Sequence, residues 1–303
     1  MNLEFYNQLI QSVEKDRVLL DEPMSKHTTF RVGGPADYFV IPKSVQEVQS
    51  VVDLCHQFEV PYYVVGNGSN LLVGDRGYRG LILQIYKEMN RIQVEGTSVK
   101  VQAGALLSKV GNKALEAELS GFEFAAGIPG TVGGAVVMNA GAYGGEMKDI
   151  LKSATVLSTD GRVLTLYNSE LELGYRTSVI AKKDYVVLEV EYELQNGDKE
   201  AIRAKMDELK VQRITKQPLE FASAGSTFKR PEGYFAGKLI QDAGLRGFKV
   251  GGAQVSEKHC GFVINTGDAT AADILKLIEM VSETVLKQFG VQLEPEVKML
   301  GEF

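Results

Sequence analysis

The chain is poor in the residues that mark several large functional classes. It has two cysteines, Cys55 and Cys260, and no Cys-x-x-Cys, which excludes a disulfide framework and fits a reducing, cytoplasmic setting. Its three histidines, His27, His56 and His259, lie far apart and match no metal-ligand spacing, so no metal site is expected. Lysine and arginine number 33 against 39 acidic residues, a net charge of −6. Nucleic-acid binding needs a basic face, so no nucleic-acid partner is expected. There is no run of about 18 apolar residues, so no membrane insertion is predicted. The first residues lack the basic and apolar regions of a signal peptide. Internal repeats, low-complexity segments and charge blocks are also missing.

What is present is an ordinary globular composition, 44% hydrophobic and 24% charged over 303 residues, enough for two or three domains or one large one. The chain is organised around Gly127–Glu146, which holds seven glycines and no charged side chain before Glu146. Glycine lets a ligand approach backbone N–H groups without a Cβ in the way. Two readings stay open for this stretch: backbone wrapped around a large, partly apolar ligand, or a buried connection packing two layers together.

Helical spacing predicts a helix over residues 3–13. Thr28 to Ile41 reads as strand, turn and strand. Ser44 and Glu47 form an expected capping box ahead of a helix that buries Cys55. Tyr62–Val65 reads as a buried strand emptying into Gly66-Asn67-Gly68-Ser69-Asn70, a favoured place for ligands. Strands are expected at Leu81–Tyr86 and Val99–Gly104, and a helix from Ala105 to Leu119 capped at Ser120-Gly121. Asp160-Gly161 signals a type I′ hairpin, and Asp184–Leu194 a half-exposed strand. Helices are expected from Lys199 to about Lys216, from Phe235 to Ala243 closed by Gly244, and from Thr270 to Phe289 capped by Gly290. In the last helix Leu275, Ile278, Val281, Val285 and Phe289 are expected to face inward. A strand is expected at Cys260–Ile264.

Gly66–Leu71 lacks the third glycine of the Rossmann fingerprint, and no phosphate loop of the Gly-x-x-x-x-Gly-Lys type occurs. Gly66–Asn70 nevertheless offers consecutive N–H donors in a tight turn, with Ser69 and Asn70 as side-chain donors. Two glycine-rich loops from neighbouring units suggest a long ligand such as a flavin dinucleotide, held at its diphosphate by one and along its body by the other.

Five motifs occur in order: Val65-Gly66-Asn67-Gly68-Ser69-Asn70-Leu71, Gly127-Ile128-Pro129-Gly130-Thr131-Val132-Gly133-Gly134, Asn139-Ala140-Gly141-Ala142-Tyr143-Gly144, Ala224-Gly225-Ser226-Thr227-Phe228 and Leu293-Glu294-Pro295-Glu296-Val297. Together they resemble the UDP-N-acetylenolpyruvoylglucosamine reductase family of peptidoglycan precursor synthesis, from about Thr28 to Leu300. The resemblance implies an α+β fold: a two-part FAD-binding domain of the vanillyl-alcohol-oxidase (PCMH) type in residues 1–86 and 87–205, then an α+β substrate-binding domain in 206–303. The short connection after Tyr175-Arg176 looks like the shorter subtype of the family.

The resemblance further implies non-covalent FAD, NADPH as co-substrate and a UDP-sugar substrate. It places Val65, Gly66, Asn67, Gly68, Ser69, Asn70, Leu71, Gly127, Ile128, Pro129, Gly130, Thr131, Gly133, Gly134, Asn139, Ala140 and Gly141 at the cofactor. Ser226 would donate a proton to the α carbon of the enolpyruvyl ether, with Arg176 and Glu296 polarising its carboxylate. Arginine is always charged and grips a carboxylate with two parallel bonds, so Arg176 suits the role. Glu296 helps only if protonated or donating through a partner, so a raised pKa is implied. Tyr175, Arg213, Lys216, Lys229 and Lys249 are candidates for the substrate, the basic ones for its diphosphate. Taken alone, each of these residues also has an ordinary reading: a turn serine, surface charges, a packing tyrosine. Two other functions remain: an oxidase of the same superfamily passing electrons to oxygen, and a non-catalytic sugar-nucleotide-binding protein. A monomer or weak oligomer is expected.

Overall fold

A computed structural model describes residues 2–303. The chain forms two compact units, one from Met1–Leu19, Tyr38–Asn67 and Gly80–Arg213, the other from Leu20–Asp37, Gly68–Arg79 and Ile214–Phe303. Each unit is assembled from segments distant in sequence.

In the first unit a five-stranded antiparallel sheet runs in the order Val163–Tyr167, Leu151–Leu157, Val186–Glu193, Ser98–Gln102, Ile92–Glu95. Val186–Glu193 is central and mostly buried. Its valines and Leu188 face the core, and Tyr192 is fully buried edge-on to Phe122 at 5.3 Å. Tyr62–Val65 pairs in parallel with Leu81–Gln84.

Helix Val45–Gln57 buries Val48, Val51, Val52 and Cys55. Burial pushes the Cys55 thiol up to about 12, so it is an inert core residue. Only half of the expected capping box forms. Ser44 Oγ accepts from Glu47 N at 3.2 Å, but the Glu47 carboxylate turns to Lys43 N at 2.8 Å and to both terminal nitrogens of Arg17 at 2.7 and 2.9 Å. Burial opposes ionisation of Glu47, yet bonds from Arg17 and from the Lys43 N–H outweigh it and hold the carboxyl below its usual range. A guanidinium offers two parallel donors, which one backbone N–H cannot match. Ser44→Ala should cost about 1 kcal/mol of stability, measured by urea unfolding, since the cap itself is intact.

Other expectations need correction. Thr28–Arg31 is a turn, with Arg31 N donating to Thr28 O and Arg31 at φ 58°, so the only strand in the expected pair is Pro35–Val40. Helix Leu107–Glu116 ends before Gly121. The left-handed residue after it is Glu118, φ 58°, and Leu119–Ser120 is already extended. At Asp160-Gly161 only Gly161 takes a positive φ, 80°, and Ser158 N bonds Arg162 O, so the loop is a three-residue turn rather than type I′.

In the second unit helix Ala271–Phe289 packs on a three-stranded sheet, Lys249–Val250, Ala253–Val255, Val263–Asn265, and against helix Ala236–Asp242. Ile274, Leu277, Ile278, Val281 and Val285 fill the core with Phe30, Leu72 and Ile240. Leu275 is only partly buried and Phe289 is 39% exposed, against the inward orientation expected of both. Cys260 precedes the strand, which starts at Val263. The helix start is well satisfied: Thr270 and Asp273 form a capping box, and Asp75 accepts from Ala271 N at 2.8 Å and Ala272 N at 2.9 Å. Leu71–Val73 pairs in parallel with Lys298–Leu300. Among the described residues no helix is long and apolar enough to cross a membrane.

Candidate active site

In the first unit the two glycine loops meet. A Cβ on Gly66 would lie 2.2 Å from Thr131 Oγ1, and Asn67 Nδ2 donates to Pro129 O at 2.8 Å. The second loop is clamped in turn. Leu107 N bonds Gly130 O at 3.1 Å, Val132 N bonds Ala105 O at 2.9 Å and Gly133 N bonds Ala103 O at 2.8 Å. The packing reading of the glycine stretch therefore holds for part of it, while other positions stay open. Gly133 is a packing glycine, with Ala103 Cβ 3.0 Å from where its own would be, whereas a Cβ on Gly134 would meet only Thr131 Oγ1, at 3.6 Å.

The same unit carries Arg176 on a tight turn. Gly174 N donates to Thr177 O at 3.1 Å and Thr177 N to Gly174 O at 3.3 Å, with Arg176 at φ 56°. Tyr175 is 55% exposed, and its ring lies 5.1 Å from the Arg176 guanidinium carbon. Ser178 follows as a helix cap: its Oγ accepts from Ala181 N at 3.2 Å and donates to Val137 O at 2.6 Å. Arg213 packs over Gly127, its Nε 3.0 Å from where a Cβ would stand. Burial pulls the Arg213 guanidinium below its ordinary value, while the charge and hydrogen bond of the Tyr143 phenol oppose that.

In the second unit Ser226 and Glu296 lie on paired segments. Glu296 N donates to Thr227 O at 2.8 Å, Lys229 N to Glu294 O at 2.9 Å, and Phe228 bridges Pro295. Thr227 is fully buried: its N–H bonds Gly261 O at 2.8 Å and its Oγ1 accepts from Val263 N at 2.8 Å. Ser226, beside the buried Thr227, is exposed. Glu296 is 9% exposed. Asn70 reaches the same segment: its Nδ2 donates to Glu296 O at 3.2 Å, and Lys298 N donates to Asn70 O at 3.0 Å. Lys229 Nζ pairs with Glu294 at 3.0 Å. Lys216 and Lys249 are exposed, one at the end of helix Lys199–Lys216 and one opposite Gln254 on its strand.

Two family models match the chain: the FAD binding domain over residues 36–167, and the UDP-N-acetylenolpyruvoylglucosamine reductase C-terminal domain over residues 217–300. The reductase of that name from Agathobacter rectalis is 55% identical, with 100% of both chains covered. The chain belongs to the UDP-N-acetylenolpyruvoylglucosamine reductase family. Another member, from Clostridioides difficile, is 52% identical over 99% of each chain. The crystal structure of the family's Thermus caldophilus member superposes with a TM-score of 0.80 at 36% identity, covering 93% of this chain and 98% of that one. The glucose oxidase variant Phl p 4 shares the fold alone, with a TM-score of 0.51 at 15% identity over 71% of this chain and 50% of that one. The fold is thus α+β with an FAD-binding domain of the vanillyl-alcohol-oxidase type.

Every residue placed at the cofactor from the family's motifs falls within the FAD-domain match, and Ser226, Lys229, Lys249 and Glu296 fall within the C-terminal one. Tyr175, Arg176, Arg213 and Lys216 lie between the two. The first unit brings together Val65–Asn67, Gly127–Gly134 and Asn139–Gly141, and the second holds Gly68–Leu71 beside Glu296. The loops fit FAD: an extended dinucleotide needs backbone with no side chain in the way, and at Gly134 a Cβ would find only Thr131 Oγ1, at 3.6 Å, so that stretch of backbone is open to a ligand. Sequence reading missed Thr227 and Tyr143 as supports, since neither a buried threonine nor a turn tyrosine has a local signal.

Proposed function

We propose that the chain is an NADPH-dependent FAD reductase converting UDP-N-acetylglucosamine enolpyruvate to UDP-N-acetylmuramate, a step in peptidoglycan precursor synthesis. Full-length membership of the reductase family carries the reading. The bound flavin supplies hydride transfer from NADPH to the vinyl carbon of the substrate. Val65–Leu71, Gly127–Gly134 and Asn139–Gly141 hold that cofactor.

The remaining chemistry belongs to side chains. Hydride addition next to a carboxylate loads that group with enolate-like charge, so a cation and hydrogen-bond donors there lower the barrier. Arg176 grips the carboxylate with two parallel bonds. Glu296 contributes when it carries a proton to donate. Ser226 delivers the proton to the α carbon. A serine hydroxyl is a weak acid in water, but it serves here because the intermediate is very basic and the proton moves a short way. Tyr175, Arg213, Lys216, Lys229 and Lys249 are assigned to the substrate. For Arg213 and Lys229 this means that the diphosphate competes with Tyr143 and Glu294 respectively. The functional division into 1–86 and 87–205 for the cofactor and 206–303 for the substrate, a cytoplasmic location, and a monomer or weak oligomer belong to the same proposal.

An absorbance spectrum of the purified protein tests it. A flavin spectrum is expected, bleached by NADPH under anaerobic conditions and restored by the enolpyruvyl UDP-sugar. A folded protein without flavin, or one whose colour returns with oxygen and never with the sugar, overturns the reading.

A further inference from the structure

The side chain of Asn139 is 1% exposed, and its amide is committed within the first unit. Nδ2 donates one N–H to Glu146 Oε2 at 2.6 Å and the other to Gly174 O at 3.2 Å, while Oδ1 accepts from Lys148 N at 2.9 Å. Both donors are used, so the side chain has no N–H left for a cofactor; a direct contact there would fall to the backbone. Asn139 itself sits at φ 44°, a conformation that asparagine tolerates better than most residues.

The carbonyl that Asn139 holds belongs to the turn carrying Arg176. Gly174 O also accepts from Thr177 N, and the two residues between them are Tyr175 and Arg176. The other flank is tied to the same short segment, because Ser178 Oγ donates to Val137 O at 2.6 Å. Val137–Asn139 therefore grips the turn on both sides. Arg176 is held at φ 56°, which a long β-substituted side chain keeps only when its surroundings impose it.

We propose that Asn139 is a positioning residue for Arg176, fixing the turn that aims the guanidinium, and not a side-chain ligand of the cofactor. The inference rests on the reading of Arg176 as the group that grips the substrate carboxylate. A displacement of that group by an ångström is costly because catalysis depends on near-attack geometry.

The test is a double-mutant cycle on the FAD-loaded full chain. Asn139→Gly removes the side chain and keeps the left-handed backbone accessible; Arg176→Asn removes the charge and tolerates the turn. Asn139→Gly is expected to retain flavin absorbance and to slow colour recovery with the enolpyruvyl UDP-sugar on the order of 100-fold. In the Arg176→Asn background the same change should add almost nothing, since the two act as one unit. Equal slowing in both backgrounds, or loss of flavin, overturns the proposal. Normal recovery in Arg176→Asn alone overturns the reading of Arg176 and the proposal with it, which separates the two failures. If Asn139→Gly does not fold, Asn139→Asp keeps the acceptor for Lys148 N, loses both donors and sets a carboxylate against Glu146 and the Gly174 carbonyl. The same non-additivity is expected of it, and additive behaviour refutes the idea.

Discussion

Ser226→Ala is expected to leave bleaching by NADPH near its normal rate and to slow colour recovery with the enolpyruvyl UDP-sugar by roughly 10²–10⁴-fold, the usual worth of a positioned proton donor. The structure makes this a clean deletion. The frame around Ser226 is fixed by its neighbour: Thr227 gives its N–H to Gly261, its carbonyl to Glu296 N and its hydroxyl oxygen to Val263 N. Ser226 itself is exposed, and Gly225 before it, at φ 75°, has nothing within 4 Å of a would-be Cβ. Removing one exposed hydroxyl therefore leaves the backbone bonds to the Glu294–Glu296 segment in place. A rapid-mixing experiment that follows flavin colour separates the two halves of the cycle. Near-normal overall turnover in the variant would show that the proton comes from elsewhere.

Gly66→Ala is expected to yield protein with little or no bound flavin. The new Cβ would stand 2.2 Å from Thr131 Oγ1, 3.1 Å from its Cγ2 and 3.2 Å from its Cβ. Thr131 is 2% exposed and starts the helix Val132–Val137, so it has little room to retreat. The strain falls on the contact that holds the two loops together, including the Asn67–Pro129 bond. Overpacking of this kind costs about 1–3 kcal/mol. Spent on the cradle, that corresponds to roughly 5- to 150-fold in affinity. Flavin fluorescence titration reads it directly. Because the three nearest atoms all belong to Thr131, adding Thr131→Ala should recover most of the loss, an outcome that separates a steric cause from general unfolding. Wild-type flavin content in Gly66→Ala alone would mean that the loops part without consequence.

The long helices were legible because their signals are local. Ala271–Phe289 shows apolar spacing between Thr270 and Gly290 at its two ends, and the charged helix Lys199–Lys216 stops just ahead of Pro218. Features decided by distant partners were not. Glu47 looks like the second half of a capping box until Arg17, thirty positions earlier, supplies a better pair of donors. The short strands Val18–Pro23 and Ala253–Val255 carry too few residues to show a period and are defined by the strands beside them. The site divides in the same way. Motif order revealed the reductase family and its glycine loops. That Asn70 holds the Glu296 carbonyl, and Asn139 the Gly174 carbonyl, depends on contacts spanning 226 and 35 positions, which no local pattern announces.

The makeup of the second unit bears on the order of events during synthesis. Leu20–Asp37 and Gly68–Arg79 leave the ribosome early, but the residues they pack against lie in Ile214–Phe303. Leu71–Val73 acquires its parallel neighbour only with Lys298–Leu300, and Asp75 its helix end only with Ala271 and Ala272. At ~5–20 residues per second, these early segments wait on the order of ten seconds while Gly80–Arg213 is made. Apolar side chains such as Phe30 and Leu72 are without their partners for that interval. Nascent chains stalled within Gly80–Arg213 should therefore engage a holding chaperone through the 20–37 and 68–79 segments and release it once the last strand has emerged.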